Sequence, residues 1–134
     1  MVKIRVVSTK KEIDEINSNE KIIHLAFRAS NIDIFRLMEN CPMIRAIQLP
    51  ASYRRTLSKA SEMFLQMQGV AIIEGDVWGH RKDISDYYSI SDHAYNRMLQ
   101  LSSQGLEAEE IAEEVSEEIK ISPNLVRYVL SLAS

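Results

Sequence analysis

The sequence is poor in residues that carry recognisable chemistry. It has one cysteine, Cys41, which excludes an intramolecular disulfide and a cysteine metal cluster and fits a reducing compartment. It has four glycines, and no P-loop, GxGxxG or nucleophile elbow occurs among them. Neither HExxH nor paired cysteines are present, so metal ligation by Asp76, His80, Asp83 or His93 is not expected. No stretch approaches the roughly 18 apolar residues of a membrane span. Met1-Val2-Lys3-Ile4-Arg5 alternates charge with apolar residues instead of forming the apolar run of a signal peptide, so a cytoplasmic location is expected.

What the chain does have is apolar residues at 46% and charged residues at 26%, the balance of a globular protein of 134 residues. Its net charge of −3 hides an asymmetry. Residues 1–82 hold 13 Lys and Arg against 9 Asp and Glu, whereas residues 83–134 hold 3 against 10. Such a split suggests segments with different partners, or segments that attract one another.

The first half alternates strand and helix patterns. Lys3–Val7, Ile22–Phe27, Ile44–Leu49 and Val70–Glu74 read as strands. Between them lie a short helix with Ile13 and Ile16 inward, and a second opened by Ser30-Asn31-Ile32-Asp33, with Ile34, Phe35, Leu37 and Met38 toward a core. A long third helix follows from Ser52 to Gln68, with Leu57, Ala60, Phe64 and Met67 at helical spacing and Gly69 closing it. The expectation is an α/β fold, a four-stranded, mainly parallel βα sheet. A repeat-like layout is the alternative, because residues 22–30 and 44–52 echo one another at a period of 22.

From Ser89-Ile90-Ser91, read as a linker, the chain becomes helical and acidic. This places an α/β domain at residues 1–88 and a small acidic three-helix appendage at residues 89–134. Arg97 to Ala112, followed by Ile121 to Arg127, looks like a helix-turn-helix, with Ser122-Pro123 as an N-cap and first helical position. The stretch between Glu114 and Lys120 reads as too long for the usual tight turn. Arg127 is the single cation of the would-be recognition helix, and seven glutamates precede it. Charge therefore disfavours nucleic acid and favours a homodimer or protein partner through these helices.

Ligands of parallel sheets bind outside the carboxyl ends of the strands. That rule gathers Ser8-Thr9-Lys10, Arg28 with Ser30 and Asn31, Ser52 with Tyr53, Arg54 and Arg55, and the run Asp76 to Asp83 with Trp78, Gly79, His80, Arg81 and Lys82. Hydroxyls, helix N-termini and guanidinium groups make an anion or phosphate site. Arg54 and Arg55, in the first turn of the expected long helix, would oppose its macrodipole unless an anion or acid compensates. His80 is a candidate acid/base and Asp76 its orienting carboxylate. His24 reads as a packed strand residue and Cys41 as buried and inert.

The stretches Lys21–Phe27, Ala46–Tyr53, Glu62–Gly69 and Glu74–Ile84 (EGDVWGHRKDI) resemble an archaeal family, mainly of methanogens, known as domain of unknown function 1699. The resemblance covers about residues 1–90. It implies an archaeal cytoplasmic origin and brings no activity, cofactor or catalytic residue. The leading reading is a non-enzymatic binding or regulatory protein with an anion site at the strand ends. The alternative is a small enzyme acting on a phosphorylated or carboxylated metabolite. Weaker readings are a nucleic-acid regulator and an acidic tail folded over the basic half to mask it.

Overall fold

The computed structural model describes residues 2–78 and 80–133. Met1 and Gly79, both within segments singled out above, lie outside the described residues. In chain order the elements are β1 (Val2–Val7), a 3-10 turn (Lys10–Asp14), β2 (Ile22–Leu25), α1 (Asn31–Asn40), β3 (Ala46–Leu49), α2 (Ala51–Arg55), α3 (Lys59–Met67), β4 (Ala71–Glu74), β5 (Tyr87–Ile90), α4 (Asp92–Ser103), α5 (Ala108–Ile119) and α6 (Pro123–Ala133).

The sheet has five strands, ordered β4-β3-β2-β1-β5, one more than the sequence suggested. β1 to β4 are parallel, and β5 returns antiparallel to β1, with Val2 opposite Ile90 and Ile4 opposite Tyr88. Ser89 and Ile90 of the stretch read as a linker are thus part of an edge strand. The pattern hid β5 because Tyr-Tyr-Ser-Ile is short and flanked by serines, and only pairing with β1 makes it a strand. The repeat echo is out of register. Arg5 lies opposite Ile23, Ile23 opposite Ile47, and Ile47 opposite Ile72, which are unequal steps rather than a period of 22.

Each parallel strand adds on the same side of its predecessor. Right-handed crossovers that all advance in one direction put their helices on one face of the sheet. The core reflects this. Ile13, Ile34, Leu37 and Leu65 pack with Val7, Ile23, Leu25, Ile47 and Leu49. The alternate residues Ile4, Ile22, Ala46, Ile73 and Ile90 face the other way and are covered by Met98, Ile111, Val115, Leu125, Val126 and Val129 of α4 to α6. With both faces covered, the central strands β2 and β3 are buried at every position.

Three expectations for the helices change. The long helix from Ser52 to Gln68 is two helices, because Ser58 leaves helical geometry to cap α3, accepting from the Ser61 N–H at 3.0 Å. Phe35 is not in the core. It is half-exposed and stacks on Phe64 at 4.3 Å between α1 and α3, while Met67 is also exposed. Between α5 and α6 the turn is only Lys120-Ile121-Ser122, because Ile111, Val115 and Ile119 carry α5 on to Ile119. That is the three-residue connection of a helix-turn-helix. Lys120 takes the left-handed conformation at φ 55°, and the Tyr88 hydroxyl donates to its carbonyl at 2.9 Å.

The C-terminal helices do fold over the first half, covering the second face of its sheet. They are seated by apolar side chains, and α5 turns its glutamates outward. Exposing Ile4, Ile22, Ile73 and Ile90 would forfeit roughly 6 to 12 kcal/mol at about 1.5–3 kcal/mol per side chain, as much as a whole domain's stability. Deleting residues 91–134 should therefore abolish cooperative urea unfolding. A truncated chain that unfolds cooperatively near the full-length midpoint would contradict this account of the second core.

Candidate functional site

The strand sequences Ile-Ile-His-Leu and Ala-Ile-Gln-Leu each carry one polar residue in third place, and register sets His24 directly opposite Gln48. Both share the pleat direction of Ile22 and Ala46 and so point under α4 to α6. There they form a hydrogen-bonded chain with the start of α6. The Leu125 N–H donates to Ser122 Oγ at 3.1 Å, Ser122 Oγ donates to Gln48 Oε1 at 2.8 Å, and Gln48 Nε2 donates to His24 Nδ1 at 3.0 Å. Accepting at Nδ1 leaves the His24 proton on Nε2. That atom faces Asp76 Oδ1 at 3.7 Å, beyond hydrogen-bond reach, and has no partner.

His24 is 1% exposed. Burial pushes its pKa down to about 4, against an opposing pull from Asp76 and with a further push from His80. His24 is thus neutral near pH 7, and Asp76 is left without a cation among the described residues.

Gly75 lets this seam close. A Cβ there would lie 2.3 Å from Ser122 Oγ and 2.8 Å from Gln48 Oε1. The neighbouring Asn124 side chain donates to the Glu74 carbonyl at 2.8 Å. The N-terminus of α6 is therefore docked on the carboxyl end of β4.

Residues 75–86 then carry the chain from β4, at one edge of the sheet, to β5 at the other. The segment is held by an antiparallel bridge between Val77 and Ile121, by the Val6 N–H donating to the Asp86 carbonyl at 2.8 Å, and by ion pairs of Lys82 with Glu12 and Asp86. His80 lies in this segment with Nε2 buried and unpartnered and its ring edge-on to Tyr88 at 5.9 Å. Asp76 faces His24 and accepts from the Val77 N–H at 2.8 Å.

The other expected ligand residues fall into two groups. Beyond β2 and β3, Arg28 lies over the Tyr53 ring at 5.2 Å and donates to Thr56. Ser30 forms a capping box with Asp33, and Asn31 Oδ1 accepts from Ser61 Oγ at 2.7 Å and from Ser58. These contacts fasten α1 to the α2–α3 junction. In the segment after β4, Arg81 pairs with Asp83 at 2.7 Å and Trp78 stands half-exposed. Of the first turn, Ser8 N–H donates to Glu12 at 2.8 Å, Lys10 pairs with Asp33 at 3.6 Å, and Thr9 makes no side-chain cap.

The dipole argument for an anion at Arg54 and Arg55 is overturned. Because α2 ends at Arg55, both arginines lie in its last turn, where cations are favoured. Arg54 also pairs with Glu62 at 3.4 Å. Ser52 is exposed and is not the N-cap, which is Pro50. Cys41 is fully buried, donates to the Asn17 carbonyl at 3.3 Å, and is pushed up to about 11, chiefly by burial. Among the described residues no three His, Cys, Asp or Glu side chains are grouped to hold a metal ion.

Sequence reasoning missed Gln48, Gly75 and Ser122 as parts of one seam. The available signal was a polar residue at the same place in two otherwise apolar strands.

Two predictions follow from the seam. Gly75→Ala should cost about 1–3 kcal/mol by overpacking, read as a lowered urea midpoint. An unchanged midpoint would remove the close approach from the account. His24 binds a proton in the unfolded chain below about pH 6.5 but not in the folded protein until about pH 4. Its stabilisation is therefore complete above pH 6.5 and is lost as pH falls toward 4. Between about pH 7 and 5 the wild type should lose about 2 kcal/mol that His24→Gln does not lose. Parallel pH profiles for the two proteins would show that His24 is not the titrating group.

Residues 3–86 match the family described as "Family of unknown function (DUF1699) N-terminal domain". Residues 93–131 match "Protein of unknown function (DUF1699) C-terminal HTH domain". No curated protein and no solved structure matches the chain.

Proposed function

We propose that this chain, which belongs to the DUF1699 family, is a non-enzymatic binding protein whose helix-turn-helix-type module engages a positively charged protein partner. The observation that carries the reading is the packing of α6. In a DNA-binding helix-turn-helix the last helix lies in the major groove. Here every side chain from Pro123 to Leu130 is buried or half-buried, with Leu125, Val126 and Val129 at 1% exposure or less. The surface the module does present is α5. Its exposed glutamates would repel a phosphate backbone.

Arg97 engages Glu114 and Glu118, and Arg127 engages Glu109. Glu110, Glu113 and Glu117 remain along a shallow groove beside Leu106. A partner rich in Lys or Arg supplies the missing charge. Against an enzyme stand the enclosed Ser122–Gln48–His24 chain and the placement of Asp76 beside His24. Against the strand-end anion site stand the carboxylates already on Arg54, Arg81 and Lys82.

The helix-turn-helix match keeps nucleic acid as the second reading, and one experiment separates the two. Labelled hexa-arginine and a labelled DNA duplex are titrated with the intact protein and followed by anisotropy. The peptide should bind in a salt-sensitive way and the duplex should not. Changing Glu110, Glu113 and Glu117 to Gln should weaken the peptide about tenfold, the sum of three exposed pairs of several tenths of a kcal/mol each. Saturable duplex binding without peptide binding would replace this reading with the nucleic-acid one.

A further inference from the structure

Resting on that reading, we infer a specific seat for the cationic partner: Trp78 and the two clefts on either side of it, which together take an arginine side chain of a basic peptide segment. Trp78 is the only tryptophan of the chain, and it is 48% exposed. A single exposed apolar residue needs no explanation, but the surroundings of this one are specific.

The bridge between Val77 and Ile121 fixes its backbone against the helix-turn-helix turn, so the indole stands where the two parts of the chain meet. One cleft, of about 420 Å³, is lined by Trp78, Ser116, Glu117 and Lys120. The other, of about 380 Å³, runs from Trp78 past Asp76 and Glu74 to Pro50 and Asn124. Trp78 lines both.

The charge around the indole is one-sided. Glu74, Asp76 and Glu117 have no cationic partner among the described residues, and Lys120 is the one cation on the rim. Beneath Asp76, the buried His24 Nε2 points at the carboxylate without reaching it and has no partner of its own. Asp76 thus borders the cleft with its charge unspent. A guanidinium laid on the indole face would gain the cation–π attraction and place its N–H groups within reach of carboxylates on both sides. The same carboxylates disfavour a nucleic-acid base stacked on Trp78, whose phosphates would sit among them.

The only indole makes the test direct. Tryptophan emission of the intact protein is followed during titration with hexa-arginine, with hexa-glutamate and a short oligodeoxynucleotide as comparisons. Hexa-arginine alone should change the emission saturably. Asp76→Asn should weaken binding roughly three- to fivefold. Glu74→Gln, on an exposed side chain away from His24, should act in the same direction if Asp76→Asn perturbs folding.

Peptide binding by anisotropy with unchanged tryptophan emission, or with unaltered affinity in both variants, would overturn this seat while leaving the acidic-face reading standing. Absence of any peptide binding would overturn both. An emission change with the oligodeoxynucleotide instead would overturn the assignment of the partner's charge.

Discussion

The second face of the sheet is the constraint on which the rest of the structure depends. Four parallel strands joined by crossovers in one direction place every intervening helix on one side. The other side carries Ile4, Ile22, Ala46, Ile73 and Ile90, and water cannot be left against it. Among the described residues the C-terminal helices are what covers it. Their role as a cover explains why Leu125, Val126 and Val129 of α6 are buried against this core, in a module shaped like a helix-turn-helix. The two family matches divide the chain between residues 86 and 93, yet these parts share one apolar core.

Where the lid meets the carboxyl end of the sheet, contact is polar rather than apolar. His24, Gln48 and Ser122 are hydrogen-bonded in series, and Gly75 makes room for them. A buried polar group without a partner costs about 1–3 kcal/mol, so the series also specifies how the lid must sit. A shift of α6 along β4 would leave the Gln48 side-chain oxygen and the Ser122 hydroxyl unpaired. Apolar contact alone tolerates sliding. The series does not.

Charge is arranged by the same geometry. Several cations of the first half are spent locally: Arg36 on Asp14, Lys82 on Glu12, Arg54 on Glu62, Arg81 on Asp83 and Arg5 on Asp86. The acid of the second half is displayed outward because the opposite side of α5 is occupied by Ile111, Ala112 and Val115. An acidic exterior therefore follows from an amphipathic helix used as cover, and the seat around Trp78 lies at its border.

The sequence by itself determined the local and periodic features. Strand and helix alternation, the Ser30 N-cap, the Ser122-Pro123 helix start and the closing turn at Gly69 all depend on residues within a few positions of one another. It also fixed the charge asymmetry and, through the quoted stretches, the family. Only the tertiary structure decided what depends on distant partners. β5 exists because β1 offers it hydrogen bonds, and His24 and Gln48 become one seam because register sets them opposite. Arg54 and Arg55 changed meaning because Ser58 caps α3 and ends the expected long helix early. Trp78 gained its surroundings because β4 and the α5–α6 turn, more than 40 residues apart, are bridged at Val77 and Ile121. Periodicity reports which side of an element is apolar. Which neighbour covers that side is a property of topology, and no local pattern encodes it.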